Sequence, residues 1–324
     1  MKNHGNYIVS LGSVCKWLGE VAEGLGVEIY PGFSAAEVLF NDDGSVKGVA
    51  TGDMGVSREM EAKDSWEAGM ELHAKFTLFS EGTRGSLSKF LIDNFNLSEG
   101  KDFQKYAIGL KEVWEIKEEN FSEGLVEHSM GWPLSDGTNG GSFLYHFDKN
   151  LVSIGYVIHL NYTNPYASPF DEFQQFKTHP SVKKTLIGGK RLSYGARAIT
   201  TGGYQSVPKL NFPGGALIGC SAGFLNYPKI KGTHNAMESG MLAAEAIIEK
   251  KLSQDENNDL ENYQLKYEKS RIFKELKKVR NVKPYQSKYG PLLGTLLSGI
   301  DMWLSTFCLL YTSDAADDTP CVDL

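Results

Sequence analysis

Ala216-Leu217-Ile218-Gly219-Cys220-Ser221-Ala222-Gly223, followed after a short loop by Lys229-Ile230-Lys231-Gly232-Thr233-His234-Asn235-Ala236-Met237-Glu238-Ser239-Gly240, decides the fold. An apolar run that ends in glycines reads as a strand, and a glycine opening an Ala-rich stretch reads as a helix start. A strand, loop and helix in that order turn free backbone N–H groups and the positive end of a helix dipole toward one point. Such a point suits an anion or an electron-rich carbonyl edge. An ordinary strand-to-helix connection with a glycine packing contact accounts for the same residues without a ligand.

A chain of 324 residues is long enough for about two domains and a sizeable core. Hydrophobic residues make up 41% of the chain and charged residues 23%, which excludes disorder and fibrous classes. A formal net charge of -7 lacks the cationic surplus a nucleic-acid binder needs, so no nucleic acid is expected as a partner. Cys15, Cys220, Cys308 and Cys321 are far apart and show no CxxC spacing, so neither a metal site nor a disulfide framework is expected. Met1 to Tyr7 has the character of neither a signal peptide nor a transit peptide and reads like the interior of a domain.

The pattern predicts a helix over 11–25, then a short strand Val27-Glu28-Ile29-Tyr30. Ala36 to Phe40 and Val46 to Thr51 flank Asn41-Asp42-Asp43-Gly44, a hairpin signature. Glu71 to Phe79 alternates polar and apolar as one strand that delivers Ser80-Glu81-Gly82-Thr83-Arg84-Gly85-Ser86. Strands rich in β-branched and aromatic residues are expected at Ile108 to Ile116, Gly141 to Phe147 and Leu151 to Leu160, forming a separate antiparallel sheet. Helices are expected at Phe170 to Thr178 and Ser181 to Ile187.

Glu81, Gly82 and Arg84 stand where a strand's carboxyl end meets a helix; a carboxylate and glycines there suit a dinucleotide crevice, as they suit a plain loop. Gly140-Gly141 precedes an aromatic strand; the absence of side chains lets a flat ring approach, and a hairpin turn uses the same pair. Tyr289 to Leu304 is the most hydrophobic stretch, too short to span a membrane and interrupted by Asp301. It reads as an interfacial segment or as a core helix, with Lys274, Lys277, Lys278 and Arg280 upstream to meet anionic lipid. His128, His159 and His179 lack metal-ligand spacing and read as surface or satisfied core residues. No general acid or base is nominated from sequence, and no metal ligand.

Taken with Asn6-Tyr7-Ile8-Val9, Glu37-Val38-Leu39-Phe40, Asp42-Asp43-Gly44-Ser45-Val46-Lys47-Gly48, Gly131-Trp132-Pro133-Leu134, Gly140 to His146, Gly189-Lys190-Arg191, Tyr194-Gly195-Ala196-Arg197 and Pro228 to His234, the chain resembles the ubiquinone oxidoreductases that accept electrons from electron transfer flavoprotein. The resemblance covers almost all of residues 1–307. It implies a second flavin-binding element, with Gly219, Gly223, Gly232, Thr233, His234 and Asn235 against FAD, the backbone of 232–235 facing the pyrimidine edge of the flavin, and Asn235 where family members usually carry Thr. It implies that Glu81, Gly82 and Arg84 lie beside the dinucleotide and that Gly140 and Gly141 contact the ubiquinone headgroup. Electron transfer flavoprotein, ubiquinone and a membrane surface are the implied partners, at the matrix side of the mitochondrial inner membrane.

The family's first Gly-x-Gly-x-x-Gly loop and the four cysteines of its [4Fe-4S] domain do not occur in these residues. The expected fold is therefore α/β (α+β): a truncated FAD/NAD(P)-binding Rossmann-like flavoprotein domain with an inserted β-sheet ubiquinone-binding domain. The expected division is a partial FAD-binding domain at 1–107, the ubiquinone-binding domain at 108–204, a return to the FAD-binding domain at 205–250, a helical membrane-surface segment at 251–307 and a non-native-looking tail at 308–324. By itself the chain is expected to be inactive as an electron-transferring-flavoprotein dehydrogenase. A prenyl-reductase-like flavoprotein and a catalytically incompetent membrane-surface module remain as alternatives.

Overall fold

The computed structural model describes residues 7–134, 137–253 and 257–306. The chain divides into two units, the first formed by Met1–Asp102, Val207–Phe224 and Gly232–Ile272, the second by Phe103–Ser206, Leu225–Lys231 and Phe273–Leu324.

In the first unit, helix α1 (Leu11–Gly24) starts at Ser10, whose hydroxyl accepts from the Ser13 amide at 3.4 Å. Strands β1 (Ala35–Phe40) and β2 (Val46–Thr51) form the expected hairpin, closed by the Ser45 amide on Asp43 Oδ1 at 2.9 Å with Gly44 at φ 80°. A second, exposed hairpin follows, β3 (Met54–Val56) with β4 (Ala62–Glu67). The single strand expected over 71–79 is instead two. β5 (Glu71–His73) pairs with β2, whereas β6 (Thr77–Phe79) pairs in parallel with a later strand, so the chain changes sheets between them. Val27 to Tyr30 is not a strand, because no ladder partner lies beside it among the described residues. Helix α2 (Ser86–Asn94) follows β6.

The second unit opens with β7 (Tyr106–Glu115), β8 (Val126–Met130), β9 (Gly140–Phe147) and β10 (Leu151–His159), then α3 (Pro169–Lys177), α4 (Pro180–Leu186) and β11 (Lys190–Thr200). These strands make one antiparallel sheet in the order β11-β7-β10-β9-β8. Alternation gives the sheet two unlike faces. Leu144, Val152, Ile154, Tyr156 and Ile158 point to one side and pack on Phe173, Phe176, Val182 and Leu186 of the two helices. Each large side chain buried there contributes about 1.5–3 kcal/mol. On the same side the buried Glu112 carboxylate accepts from Lys177 Nζ at 2.9 Å, Trp114 Nε1 at 2.8 Å and Arg191 Nη1 at 3.2 Å, tying α3 and β11 to β7. Burial pushes that carboxyl's pKa up, but these donors outweigh it and hold it below the usual value.

Back in the first unit, β12 (Asn211–Phe212) and β13 (Gly215–Leu217) complete a sheet in which β13 lies parallel to β6. Helix α5 (Thr233–Leu252) and helix α6 (Glu261–Lys269) follow, and α7 (Arg271–Lys278) carries the chain into the second unit. The last element, α8 (Val282–Thr306), is broken at Gly290, which has φ 77° and ψ 179° and precedes Pro291. Its two arms fold back on each other. A Cβ on Gly294 would stand 2.5 Å from Gln286 Cα, Ser298 Oγ bonds the Val282 carbonyl at 3.5 Å, and the Asn281 amide donates to both Asp301 oxygens at 3.2 Å.

Candidate functional site

In the first unit, the parallel strands β6 and β13 end side by side, and the loops after them converge. Open α/β sheets bind ligands beyond the carboxyl ends of their strands. Ser221 Oγ donates to the Gly82 carbonyl at 3.3 Å, the Gly219 amide donates to Ser239 Oγ on α5 at 2.9 Å, and Asn235 Nδ2 donates to the Phe224 carbonyl at 2.9 Å. These bonds bring Gly82, Gly219, Gly223 and the first turn of α5 into one constellation. Gly219 has φ 61°, and a Cβ there would sit 3.5 Å from Ala236, so the loop rests closely on the helix start. Gly232 caps α5 without any side-chain hydrogen bond, and no acidic residue stands in the first turn. The helix therefore presents its positive end without an internal anion.

Two residues of this set are turned to internal work. Glu81 Oε2 accepts from the Ser88 amide at 2.5 Å and from Ser88 Oγ at 2.7 Å, capping α2, whose own N-cap Gly85 supplies no side chain. The Asn235 side chain is fully buried on the Phe224 carbonyl, so what it presents at the helix start is its backbone. Arg84 is exposed and sits at φ 58°, which bends the loop into α2. Thr233 is exposed and His234 half-buried.

Gly140 and Gly141 belong to the second unit. They do not form a hairpin turn: they open β9, with Gly140 opposite Ile158 and Gly141 opposite Val157, and neither has positive φ. Gly141, Phe143, Tyr145 and Val157 share the face of the sheet that α3 and α4 leave open, and all four are half-buried. Phe143 and Tyr145 stack at 5.1 Å between centroids. Tyr156 Oη, on the core side, donates to the Gly131 carbonyl at 2.6 Å and the Trp132 carbonyl at 3.1 Å, and the Gly131 amide donates to the Gly140 carbonyl at 3.1 Å. Gly131 and Trp132 are thus pinned beside the start of β9. Burial raises the Tyr156 pKa above its ordinary value, keeping the hydroxyl a donor. The result is a flat patch with no side chain at Gly141 and the stacked Phe143 and Tyr145 rings beside it, a surface whose shape suits a planar apolar ring.

Sequence reading missed what lies at the end of that patch. His159 closes β10, its amide donates to the Asn139 carbonyl at 3.0 Å, and its Nδ1 is 2.8 Å from the Nζ of Lys283 on α8. Their separation of 124 positions leaves no local signal. Among the described residues no group of three or more His, Cys, Asp or Glu is placed to hold a metal; Cys15 is exposed and Cys220 half-buried, while Cys308 and Cys321 lie outside the described residues. No described helix is long and apolar enough to cross a membrane.

Residues 106–199, almost the span from β7 through β11, match the model of the ubiquinone-binding domain of ETF-QO. Over 312 residues the chain is 52% identical to the human protein named electron transfer flavoprotein-ubiquinone oxidoreductase, mitochondrial, covering 94% of this chain and 51% of that relative. The chain thus spans about half the length of the curated relatives it matches. In fold it is similar to a geranylgeranyl bacteriochlorophyll reductase-like protein from Thermoplasma acidophilum, with a TM-score of 0.62 at 16% identity, covering 92% of this chain and 64% of that one. It is also similar to a flavin-dependent brominase, with a TM-score of 0.58 at 16% identity over 93% of this chain and 69% of that one. The architecture is therefore the mixed α/β fold of flavoproteins, and by its sequence the chain belongs to the electron transfer flavoprotein-ubiquinone oxidoreductase family.

Proposed function

We propose that, within the full-length enzyme, this chain passes electrons from reduced electron transfer flavoprotein through FAD to ubiquinone. The observation that carries the reading is the coincidence of the ubiquinone-binding match at 106–199 with a sheet that has one face sealed by helices and the other open at Gly141. Ubiquinone lies against the backbone of Gly140 and Gly141, beside Val157 and Phe143.

The first unit fits the flavin half of FAD. The uncapped start of α5 at Gly232, Thr233, His234 and Asn235, with Gly219 and Gly223, offers backbone donors to a carbonyl edge, and Gly82 with Arg84 flanks the dinucleotide. When bound, FAD supplies the capacity to take electrons from one partner and release them to another. The [4Fe-4S] cluster of the complete enzyme finds no ligand set among the described residues, and no step is assigned to it.

The second arm of α8 supports a membrane-surface location. Gly294, Ser298 and Asp301 turn inward, whereas Leu292 is 81%, Leu296 60% and Trp303 61% exposed. An arm with small and polar residues inside and large apolar ones outside suits an interfacial helix, here at the matrix side of the mitochondrial inner membrane. The prenyl-reductase-like alternative shares the fold at 16% identity, far below the 52% of the quinone reductase.

A side chain at Gly141 is a poor probe, because its Cβ would stand 2.5 Å from the Ser129 carbonyl oxygen and disturb the β8–β9 ladder. Val157→Phe adds bulk on the open face without that clash. In the full-length protein with reduced electron transfer flavoprotein as donor, it is expected to raise KM for a short-chain ubiquinone at least about tenfold, roughly 1.4 kcal/mol. Flavin reduction should be unaltered. An unchanged KM would remove the open face from the quinone site.

A further inference from the structure

Lys283 is 3% and His159 4% exposed, and their 2.8 Å contact is the only hydrogen bond of the Lys283 side chain among the described residues. No carboxylate stands within ion-pair distance of this ammonium among those residues; its other neighbour is the face of Tyr227, 5.2 Å from the ring centroid. Burying a cation without an anion is unfavourable, so such a pair is an expensive way to pack a strand end. It also has a direction. Because the ammonium can only donate, His159 Nδ1 accepts, and the imidazole proton resides on Nε2.

The place is as telling as the chemistry. His159 follows Ile158, which pairs with Gly140, and shares the open face with Val157 and Gly141. It is the diagonal neighbour of Gly141 across the ladder, within about 7–8 Å between Cα atoms, a reach a side chain and a planar ring together cover. Reduction of a quinone to a quinol consumes two protons with its two electrons, and a site shielded from water needs a group to deliver them.

We propose that Lys283 and His159 form a proton relay for the quinone, an assignment that rests on the quinone reading of the open face. As two electrons arrive from reduced flavin, one quinone oxygen takes the proton from His159 Nε2 while Nδ1 takes one from the Lys283 ammonium. This leaves the other imidazole tautomer and a neutral amine. The second oxygen takes its proton from solvent. When the quinol leaves, Nε2 gains a proton from water and Nδ1 returns one to the amine, so one relayed proton enters per turnover and the pair is reset.

The neighbours set the resting state this requires. Burial, helped by the charge of Lys105, brings the Lys283 ammonium down to about 8, and burial with the Lys283 charge brings His159 down to about 3. Tyr227, the remaining titratable group facing the pair, is pushed up by burial to about 12 and stays neutral. Around neutral pH the pair therefore holds a charged lysine and a neutral histidine. Tyr227 in turn donates to Gln286, whose Nε2 reaches Thr295 Oγ1 at 3.1 Å, which fixes the pair against the two arms of α8.

The test uses the full-length, flavin-loaded protein with Lys283→Met, Lys283→Arg and His159→Asn. Quinone reduction is expected to fall at least about tenfold in each, with flavin reduction by the donor protein unchanged. The wild type should lose rate as pH rises through about 8, a limb that Lys283→Met and Lys283→Arg should both lack. Its rate should also slow in deuterium oxide more than that of either variant. A merely structural pair would change melting temperature and KM but leave the pH limb and isotope effect in place. A folded Lys283→Met protein within about twofold of wild-type turnover, or with the limb intact, overturns the relay. Val157→Phe run alongside separates the outcomes: if it raises KM while the lysine variants behave as wild type, the quinone site stands and the relay falls.

Discussion

At the residue scale, the Lys283–His159 pair makes a statement about stability as well as chemistry. Unfolded histidine titrates near 6.5 and the folded one near 3, so as pH falls from 6.5 the unfolded chain binds the extra proton and stability falls until about pH 3. Lysine has the same sign in another window. Between about 8 and 10.5 the unfolded chain holds a proton the folded one has lost, so stability rises with pH across that range. Urea midpoints of wild type should therefore climb relative to those of Lys283→Met from pH 8 to 10, and parallel curves would show that the lysine is not held in a depressed state. Neither residue announced itself in the sequence. His159 ends an alternating strand like any polar residue, and only folding brings the lysine onto it. Glu81 shows the opposite limit: its position in the loop after a strand was legible, but its work as the cap of α2 depends on Gly85 lacking a side chain.

At the scale of elements, legibility in the five-stranded sheet and the helices packed on it followed burial. The hairpin around Asn41 to Gly44, the β7, β9 and β10 strands and the helices before and after Pro180 were all readable, because each alternates or repeats against a core or carries its own turn residues. β8 and β11 were not. Every residue of β8, and all of β11 up to Ala198, is exposed, so ladder bonds rather than burial hold them and no hydrophobic period marks them. The α8 arms are a middle case: the run from 289 to 304 read as one apolar stretch interrupted by Asp301, whereas the aspartate faces inward to Asn281 and the break falls at Gly290. This arrangement predicts that Leu292→Asp with Leu296→Asp weakens binding to liposomes at least about tenfold while circular dichroism is retained, since both side chains are mostly exposed. Loss of helical signal in that double variant would instead assign the leucines to a core.

At the scale of the whole molecule, each unit is assembled from separated stretches of chain, so neither boundary could be placed by composition alone. What the sequence did carry was the strand, loop and helix at 216–240, and the structure adds the second parallel strand and the hydrogen bonds that join the two loops. The glycine loop for the adenosine half of FAD does not occur in these residues, and no residue of α1 is buried; Leu11, Leu18, Val21 and Leu25 lie exposed along it. Expressed alone, the chain is expected to bind FAD weakly or not at all and to bind a hydrophobic dye strongly, and a yellow protein with near-stoichiometric flavin absorbance would contradict this.

The central claim is that ubiquinone occupies the open face of the five-stranded sheet. A photoreactive ubiquinone analogue, bound to the full-length protein and mapped by mass spectrometry, addresses it directly. The label is expected on residues of that face, Met130, Gly141, Phe143, Tyr145, Val157 or His159, and to be displaced by excess ubiquinone. Displaceable label confined to Phe173, Phe176 and Val182 behind the sheet, or to the first unit, would contradict the account.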